Sequence, residues 1–213
     1  MKRLSLAIIF ACCTLAMAAQ ETIRVNYQGA RPTISDFAWA FVSNYVWIED
    51  EDVLDEARSA AKAAWTAYRK GEPLNEGDKI TIDEKNGYAV YESVDEYEGD
   101  VDMVRIEMCY WNEADQKHKL FAYNVSAFRN GKYSPGQFDG LMFYRYNNAT
   151  KKMTYCEAPG FQEKYSVENA RGGVNYVSYD LPRTGKDIIY NEWDDNGKVK
   201  QKTLKWNGRR FSY

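Results

Sequence analysis

Paired carboxylates are the residues of this sequence that could carry out hydrolysis. Glu92, Glu107 and Glu192 each lie in a segment whose pattern predicts a β-strand. A glycosidase needs two carboxyl groups at a set separation, facing one cleft. Because sequence spacing does not give that separation, a glycosidase-like hydrolase is kept as an alternative function, and no catalytic residue is assigned.

Nucleophilic and metal chemistry have less support. His118 is the single histidine, and no nucleophile motif accompanies it. A typical zinc site needs a cluster of His and Cys ligands, which one histidine and two distant cysteines do not supply. The acidic run 49–52 lies where a helix is predicted to begin, and acids there stabilise the helix dipole. The sequence therefore favours a protein without metal or cofactor, and a binding protein over an enzyme.

The stretch WDDNGKVKQKTLKWNGRRF near the C-terminus raises the question of a calcium loop. An EF-hand spaces its acids at alternate positions and closes with a distant glutamate, whereas Asp194 and Asp195 are adjacent and lysines follow. Asp and Asn side chains bond to their own backbone, and Gly197 tolerates a positive φ. We therefore predict a tight hairpin turn here.

Aromatic residues are abundant, with 17 Tyr and 6 Trp, and such rings are favoured at binding surfaces. In FDGLMFYRYNN, Met142, Tyr144 and Tyr146 share one strand face while Leu141 and Phe143 share the other. Both faces are thus apolar: helices should cover one, and the other needs a partner, a ligand, or a curled sheet or loop as its cover. The predicted ligand-binding residues are Trp111, Tyr144, Tyr146, Trp193 and Trp206.

Two helices are predicted early in the chain, over about residues 34–70. In PTISDFAWAFVSNYV the apolar residues recur at helical spacing from Ile34, and Thr33 or Ser35 can cap the first turn. In EDEDVLDEARSAAKAAWTAYRKG the first turn is acidic and the end is basic, followed by glycine. The alanine stripe of this second segment predicts close packing on a flat surface.

From Lys79 onward the pattern is that of antiparallel strands, with short runs of Tyr, Val, Ile and Phe between Gly, Asn and Asp. The predicted strands lie near 79–84, 87–94, 102–111, 119–128, 139–146, 151–156, 174–180, 186–193, 198–206 and 209–213. The fold class is therefore α+β, an N-terminal helical pair packed on a mainly antiparallel β-sheet of hairpins, with an NTF2-like cone-shaped sheet as the alternative. The connection 157–173 is predicted to be irregular and to be a place for a ligand.

The N-terminal segment MKRLSLAIIFACCTLAMAAQ predicts a secretory signal peptide over residues 1–19, because early cations precede an apolar run and a small-x-small cleavage signal. The apolar run is too short for a membrane anchor. Lipidation at Cys12 or Cys13 is the alternative, which the poor lipobox disfavours. Residues 20–213 would then form a single α+β domain with no transmembrane segment. Cys109 and Cys156 remain, and an oxidising compartment permits a disulfide, although two separate buried thiols explain them equally well. The net charge of -3 for the whole chain argues against nucleic acid as a partner.

The segment YDLPRTGKDIIYNEWDDNGKVKQKTLKWNGRRF, residues 179–211, resembles the C-terminal hairpins of uncharacterised exported proteins of Bacteroidota. These often read Leu-Pro-Arg, then Gly-Lys, then Lys-Trp-Asn-Gly. The resemblance implies an envelope or secreted location and transfers no catalytic residue.

We therefore predict an exported, non-catalytic binding or interaction module of the periplasm, the outer surface or the medium. Its expected partner is a glycan, a peptide or an envelope protein. The alternatives are the hydrolase with paired carboxylates and a carrier of a small apolar ligand with an NTF2-like fold.

Overall fold

The computed structural model describes four stretches of the chain, and for residues 52–58 it describes the backbone only. These stretches are residues 22–44, 52–135, 140–170 and 172–213. The predicted signal peptide lies outside the described residues. Within the four stretches, neither helix is long and apolar enough to cross a lipid bilayer.

The two predicted helices are confirmed. Helix α1 spans Ile34–Asn44 and helix α2 spans Asp52–Lys70. Thr33 caps α1, because its Oγ1 accepts a hydrogen bond from the amide of Asp36 (3.4 Å) while Asp36 Oδ2 accepts one from the amide of Thr33 (2.8 Å). This cap fixes where α1 begins, and it thereby places the short segment before it, which carries Arg31.

Thirteen strands lie within the described residues. They are β1 (Thr22–Arg24), β2 (Asp78–Asp83), β3 (Tyr88–Tyr97), β4 (Asp100–Asn112), β5 (His118–Arg129), β6 (Lys132–Tyr133), β7 (Gly140–Asn147), β8 (Lys152–Tyr155), β9 (Ser166–Glu168), β10 (Val174–Asp180), β11 (Ile188–Trp193), β12 (Val199–Trp206) and β13 (Phe211–Ser212). Each predicted strand has a counterpart among them.

The strands form two sheets, and all their pairings are antiparallel. The large sheet has eight strands in the order β1-β8-β7-β5-β4-β3-β2, with β6 paired to β5, and the small sheet has the order β13-β12-β11-β10-β9. The large sheet curls into a half-barrel. The predicted α+β class is confirmed, and the hairpins divide between two sheets.

The connection 157–173 is less irregular than predicted. Strand β9 lies within it and pairs with β10, with Val174 opposite Glu168. Its three residues, Ser-Val-Glu, carry too little apolar alternation to be recognised alone, so the pairing partner defines the strand.

Two buried clusters lie on opposite faces of the large sheet. On β7, Tyr144 and Tyr146 belong to the cluster under the helices, together with Phe37 of α1. Leu141 and Phe143 of the same strand belong to the cluster shared with the small sheet. Both faces of β7 are therefore apolar, as predicted. Helices cover one face, and the small sheet covers the other.

The predicted DDNGK turn is confirmed as the connection between β11 and β12. The amide of Gly197 donates to Asp194 O (2.8 Å), and Asp194 Oδ1 accepts from the amides of Asn196 (3.0 Å) and Lys198 (2.9 Å). The φ of Gly197 is 76°. The Asp194 carboxylate thus holds the turn by bonding to its backbone.

Candidate functional site

Two clefts open at the end of the large sheet where β4 turns into β5. Asn112 of β4, Lys119 of β5 and Tyr146 of β7 are register neighbours on the face toward the helices. Leu120 and Arg145 are register partners on the face toward the small sheet. One cleft therefore lies on each face of the same sheet end.

The first cleft, which we call the cationic cleft, lies on the helix side and has a volume of about 510 Å³. It is lined by Tyr27, Ala30, Arg31, Pro32, Asn112, Gln116, Lys119 and Asn148. Three carboxamides, two cations and a tyrosine make up its functional groups. Among the residues that the structure describes, the lining contains no carboxylate.

Lys119 is the buried cation of this cleft. Its side chain is in phase with buried Phe121 on β5, and the residue is only 8 % exposed. Its Nζ donates a hydrogen bond to Asn112 Oδ1 and lies 4.3 Å from the centroid of the Tyr110 ring. Burial lowers the pKa of Lys119, and the charge of Arg31 lowers it further. Within the described residues no carboxylate forms an ion pair with Lys119.

Two hydrogen bonds fix the rim of the cationic cleft. Asn148 Nδ2 donates to Gln116 O and the amide of Asn148 donates to Lys117 O, both at 3.0 Å. These bonds tie the β7–β8 turn to the β4–β5 turn. Across the rim, Lys151 Nζ lies 4.6 Å from the centroid of the Tyr27 ring, which brings a third cation near the cleft.

The second cleft, which we call the paired-charge cleft, lies on the small-sheet side and has a volume of about 580 Å³. It is lined by Glu113, Ala114, Asp115, Leu120, Arg145, Cys156, Glu157, Pro159, Trp206, Gly208 and Arg209. Arg145 makes a bidentate ion pair with Glu113, at 2.8 Å from Nε to Oε1 and 2.6 Å from Nη2 to Oε2. The hydrogen bond to Glu113 raises the pKa of Arg145.

Glu113, Asp115 and His118 hold ligand-type atoms within 4.8 Å of one another. His118 Nδ1 lies 2.6 Å from Asp115 Oδ2, and this hydrogen bond lowers the pKa of Asp115 to about 2. Arg145 Nη2 lies 3.3 Å from His118 Nδ1, so the guanidinium is in contact with this cluster. A metal ion would have to displace that cation or be repelled by it.

Four of the five predicted ligand-binding aromatic residues are buried. Tyr144 and Tyr146 lie under the helices, while Trp111 and Trp206 lie between the sheets with ring centroids 6.2 Å apart. Trp206 also lines the paired-charge cleft. Packing within the two cores therefore explains the presence of these four rings without a ligand.

Trp193, the fifth predicted residue, is half-buried and lies away from both clefts. Its ring contacts Phe128 and Tyr133, and its Nε1 donates to Ser178 Oγ at 2.8 Å. The five predicted aromatic residues therefore do not form one site: two lie under the helices, two lie between the sheets, and Trp193 is half-buried elsewhere.

The structure does not bring the three candidate acids into one cleft. Glu92 pairs with Arg105 at 3.0 Å, and Glu192 pairs with Lys202 at 2.5 Å, which lowers the pKa of Glu192. Neither of the two clefts is lined by any of the three. The hydrolase with paired carboxylates therefore gains no geometric support.

Glu107 is the third acid and is buried between the sheets. Tyr88 Oη donates to its Oε1 (2.8 Å), and Asn124 Nδ2 and the amide of Leu181 donate to its Oε2 (3.2 and 3.3 Å). Burial raises the pKa of Glu107 to about 7. The three donors hold two strands and a loop together through one carboxyl group, which is a structural role.

Cys109 and Cys156 are both free thiols, so the disulfide left open by the sequence is not formed. Cys109 is buried between the sheets, whereas Cys156 is half-buried and lines the paired-charge cleft. Burial raises the pKa of Cys109, and it raises the pKa of Cys156 to about 11. Both thiols are therefore protonated at neutral pH and are poor nucleophiles.

Sequence reasoning missed Lys119 and Arg31. The signal for Lys119 is present, because a lysine in phase with Phe121 and Tyr123 on an otherwise buried strand face is unusual. Arg31 has no such signal, since only the position of α1 brings it to the sheet end.

No protein family model, curated protein or solved structure shows significant similarity to this chain. The resemblance of residues 179–211 to exported proteins of Bacteroidota stays a prediction. Function is therefore inferred from the two clefts.

Proposed function

We propose that this protein is an exported, non-catalytic binding module that holds a glycan in the cationic cleft. One observation carries the proposal: the described lining of a cleft of about 510 Å³ has carboxamides, cations and a tyrosine, and no carboxylate. The export part rests on the signal-peptide pattern of residues 1–19.

The lining suits sugar hydroxyl groups, which both donate and accept hydrogen bonds. Carboxamides do the same, and a tyrosine ring offers an apolar face to the C–H side of a sugar. Asn112 uses its Oδ1 for Lys119, so its Nδ2 is left for a ligand. The carboxamide of Gln116 makes no hydrogen bond within the described stretches, and it is exposed at the rim.

The cleft is built mainly on paired strands and turns, which favours binding without large rearrangement. Asn112 and Lys119 are direct register partners, and Lys119 is in turn paired with Tyr146. Hydrogen bonds between the two neighbouring turns fix the rim. Groups held in place before binding lose less conformational entropy when the ligand arrives.

Binding is favoured over hydrolysis by the same lining. Glycoside hydrolysis needs an acid and a second carboxylate beside the scissile bond. The cationic cleft has neither, and Glu92, Glu107 and Glu192 are engaged elsewhere. A small apolar ligand fits less well, because the helix side of the half-barrel is filled by Phe37, Phe41 and Trp65.

The binding test uses the exported chain purified from a bacterial host, with calorimetric titration of neutral and acidic oligosaccharides and of short peptides. We expect at least one oligosaccharide to bind, and Gln116→Ala to weaken binding about fivefold through loss of hydrogen bonds. Glu157→Gln, in the paired-charge cleft, is the matched control and should bind like the wild type. Binding of peptides alone, or equal loss in both variants, contradicts the proposal.

The export test is separate. Mass spectrometry of the same preparation should show an N-terminus at Ala19 or Gln20, as signal-peptide cleavage requires. An acylated N-terminal cysteine, or an intact Met1, contradicts this part of the proposal.

A further inference from the structure

We infer that the glycan held in the cationic cleft is acidic, and that its anionic oxygen group, a carboxylate or a sulfate, is bound by Lys119 and Arg31. This inference rests on the proposed function and names the substrate class of the same cleft. It is carried by a buried ammonium group that has no anionic partner within the described stretches of the chain.

The ammonium group of Lys119 is buried with few partners. An ammonium group loses hydration when it is buried, and lysines are almost never fully buried unless they are paired. Lys119 is 8 % exposed, and its partners are Asn112 Oδ1 and the ring of Tyr110. One neutral acceptor and one cation–π contact compensate only part of the lost hydration, because the group has three N–H donors.

Arg31 is a second cation in the same cleft. Arg31 is the charged group that acts on Lys119, and the two cations repel each other. Arg31 is exposed and makes no ion pair within the described stretches. An anion between the two would neutralise both and would accept hydrogen bonds from each of them.

Lys119 differs from three other cations of the fold, half-buried Arg105 and the exposed Arg145 and Lys202. Arg105 pairs with Glu92 at 3.0 Å, and Arg145 pairs with Glu113 at 2.6 Å. Lys202 also has a carboxylate partner. The chain therefore provides an acid wherever these cations serve the fold alone. Lys119 is the most buried of the four, and no acid is present among the described residues that line its cleft.

The other groups of the cleft indicate which kind of molecule carries the anion. The charged groups stand beside three carboxamides and Tyr27, which suit hydroxyl groups and a sugar ring. A uronic acid or a sulfated sugar carries the anionic group and the hydroxyl groups on one scaffold. Such a ligand would use the cations and the carboxamides together.

The experiment titrates matched disaccharides into the exported chain: a neutral glucose disaccharide, its counterpart with a glucuronate unit, and its sulfated counterpart. Free glucuronate and inorganic sulfate are added as separate probes. We expect one acidic disaccharide to bind about tenfold more tightly than the neutral one, as a charge-assisted contact allows. The two acidic compounds distinguish carboxylate from sulfate as the source, and the preference should shrink as salt is raised.

Three variants test the residues. Lys119→Met keeps most of the apolar side chain and removes the charge, and Arg31→Gln removes the exposed cation. Each should reduce the preference for the acidic disaccharide about tenfold while leaving affinity for the neutral one unchanged. Lys205→Gln removes an exposed lysine of β12 and is the control for total charge. Arg31→Gln keeps the test decisive if Lys119→Met does not fold.

The outcomes separate this inference from the proposed function. Equal affinity for neutral and acidic disaccharides overturns the inference and leaves the proposed function standing. If free glucuronate or inorganic sulfate binds and no oligosaccharide does, the anion site is supported and the glycan proposal is overturned. A preference for acidic ligands that survives both Lys119→Met and Arg31→Gln overturns the assignment of these residues.

Discussion

The two clefts at the end of the large sheet have similar volumes, about 510 and 580 Å³, but they differ in whether their cations are paired with acids. In the paired-charge cleft, Arg145 is held by Glu113 and lies near Asp115 and His118. In the cationic cleft, Lys119 and Arg31 line the same cavity, and none of its described lining residues is an acid. The cation of an ion pair already has its anion within the protein, whereas a cation without one is available to an anionic ligand.

The difference follows from position in the fold. Arg145 and Glu113 reach each other from β7 and from the turn after β4, on the face toward the small sheet. Lys119 points to the opposite face, where the segment before α1 contributes another cation. Cleft size therefore says little about function here, and the balance of charge within each cleft distinguishes them.

The largest effects are expected from the rings that support each cleft. Phe37 contacts Tyr110 and Tyr146 on the helix side, and Phe211 contacts Trp206 and Trp111 between the sheets. Both rings are fully buried, so Phe37→Ala and Phe211→Ala should each lower the free energy of unfolding by about 4 kcal/mol.

Denaturant titration of the two variants measures that loss, and ligand titration then breaks or sharpens the comparison of the clefts. Only Phe37→Ala should also weaken glycan binding, because Tyr110 and Tyr146 surround Lys119. Equal weakening of binding by Phe211→Ala would place the ligand outside the cationic cleft.

The next effect is a pH dependence from Glu107, a buried acid that forms no ion pair within the described part of the chain. Its pKa is about 7 in the folded protein and near 4.5 when unfolded, so the folded state holds the extra proton between these values. Protonated Glu107 thus contributes about 3 kcal/mol to the free energy of unfolding. This contribution is fully present below about pH 4.5 and is lost as the pH rises to about 7.

Urea unfolding at a series of pH values measures this loss in the wild type, and Glu107→Gln, which keeps a hydrogen-bonding oxygen, should remove that part of the pH dependence. The same slope in the variant would mean that another group titrates.

Charge removal should act in opposite directions in the two clefts. Lys119→Met removes an unpaired buried cation and should raise the free energy of unfolding by about 1 kcal/mol. Arg145→Met leaves the partly enclosed Glu113 without its cation and should lower it by about 1 kcal/mol. Thermal melting of both variants without ligand checks the signs. A loss of stability in both would mean that Lys119 is as well compensated as Arg145.

The DDNGK turn lies outside both clefts, and its Asp194→Asn variant should show the smallest effect. Gly197→Val should lower the free energy of unfolding by at least about 1 kcal/mol, because φ is 76° and the new Cβ would lie 2.9 Å from atoms of the Lys132 side chain. Asp194→Asn should change stability little, since an amide oxygen can accept the same backbone hydrogen bonds. Melting with and without calcium tests the turn, and a calcium-dependent rise that Asp194→Asn abolishes would make it a cation site.

Local sequence determined much of this fold. The helical spacing from Ile34 and the cap at Thr33 define α1, and turn chemistry at Gly197 defines the β11–β12 hairpin. The alternation in β7 predicted two apolar faces, because side chains of a strand point alternately to its two sides. These features depend on interactions between near neighbours in the chain, so the sequence alone displays them.

The division into two sheets and the identity of the site were decided only by the tertiary structure. Trp111 and Trp206 looked like ligand-binding rings, yet the packing of one sheet on the other buries them together. Lys119 looked like one lysine among several, and it became distinct because folding placed Arg31, and no acid of the described lining, in its cleft. Burial and charge balance depend on residues distant in sequence, so they arise only when the chain is folded.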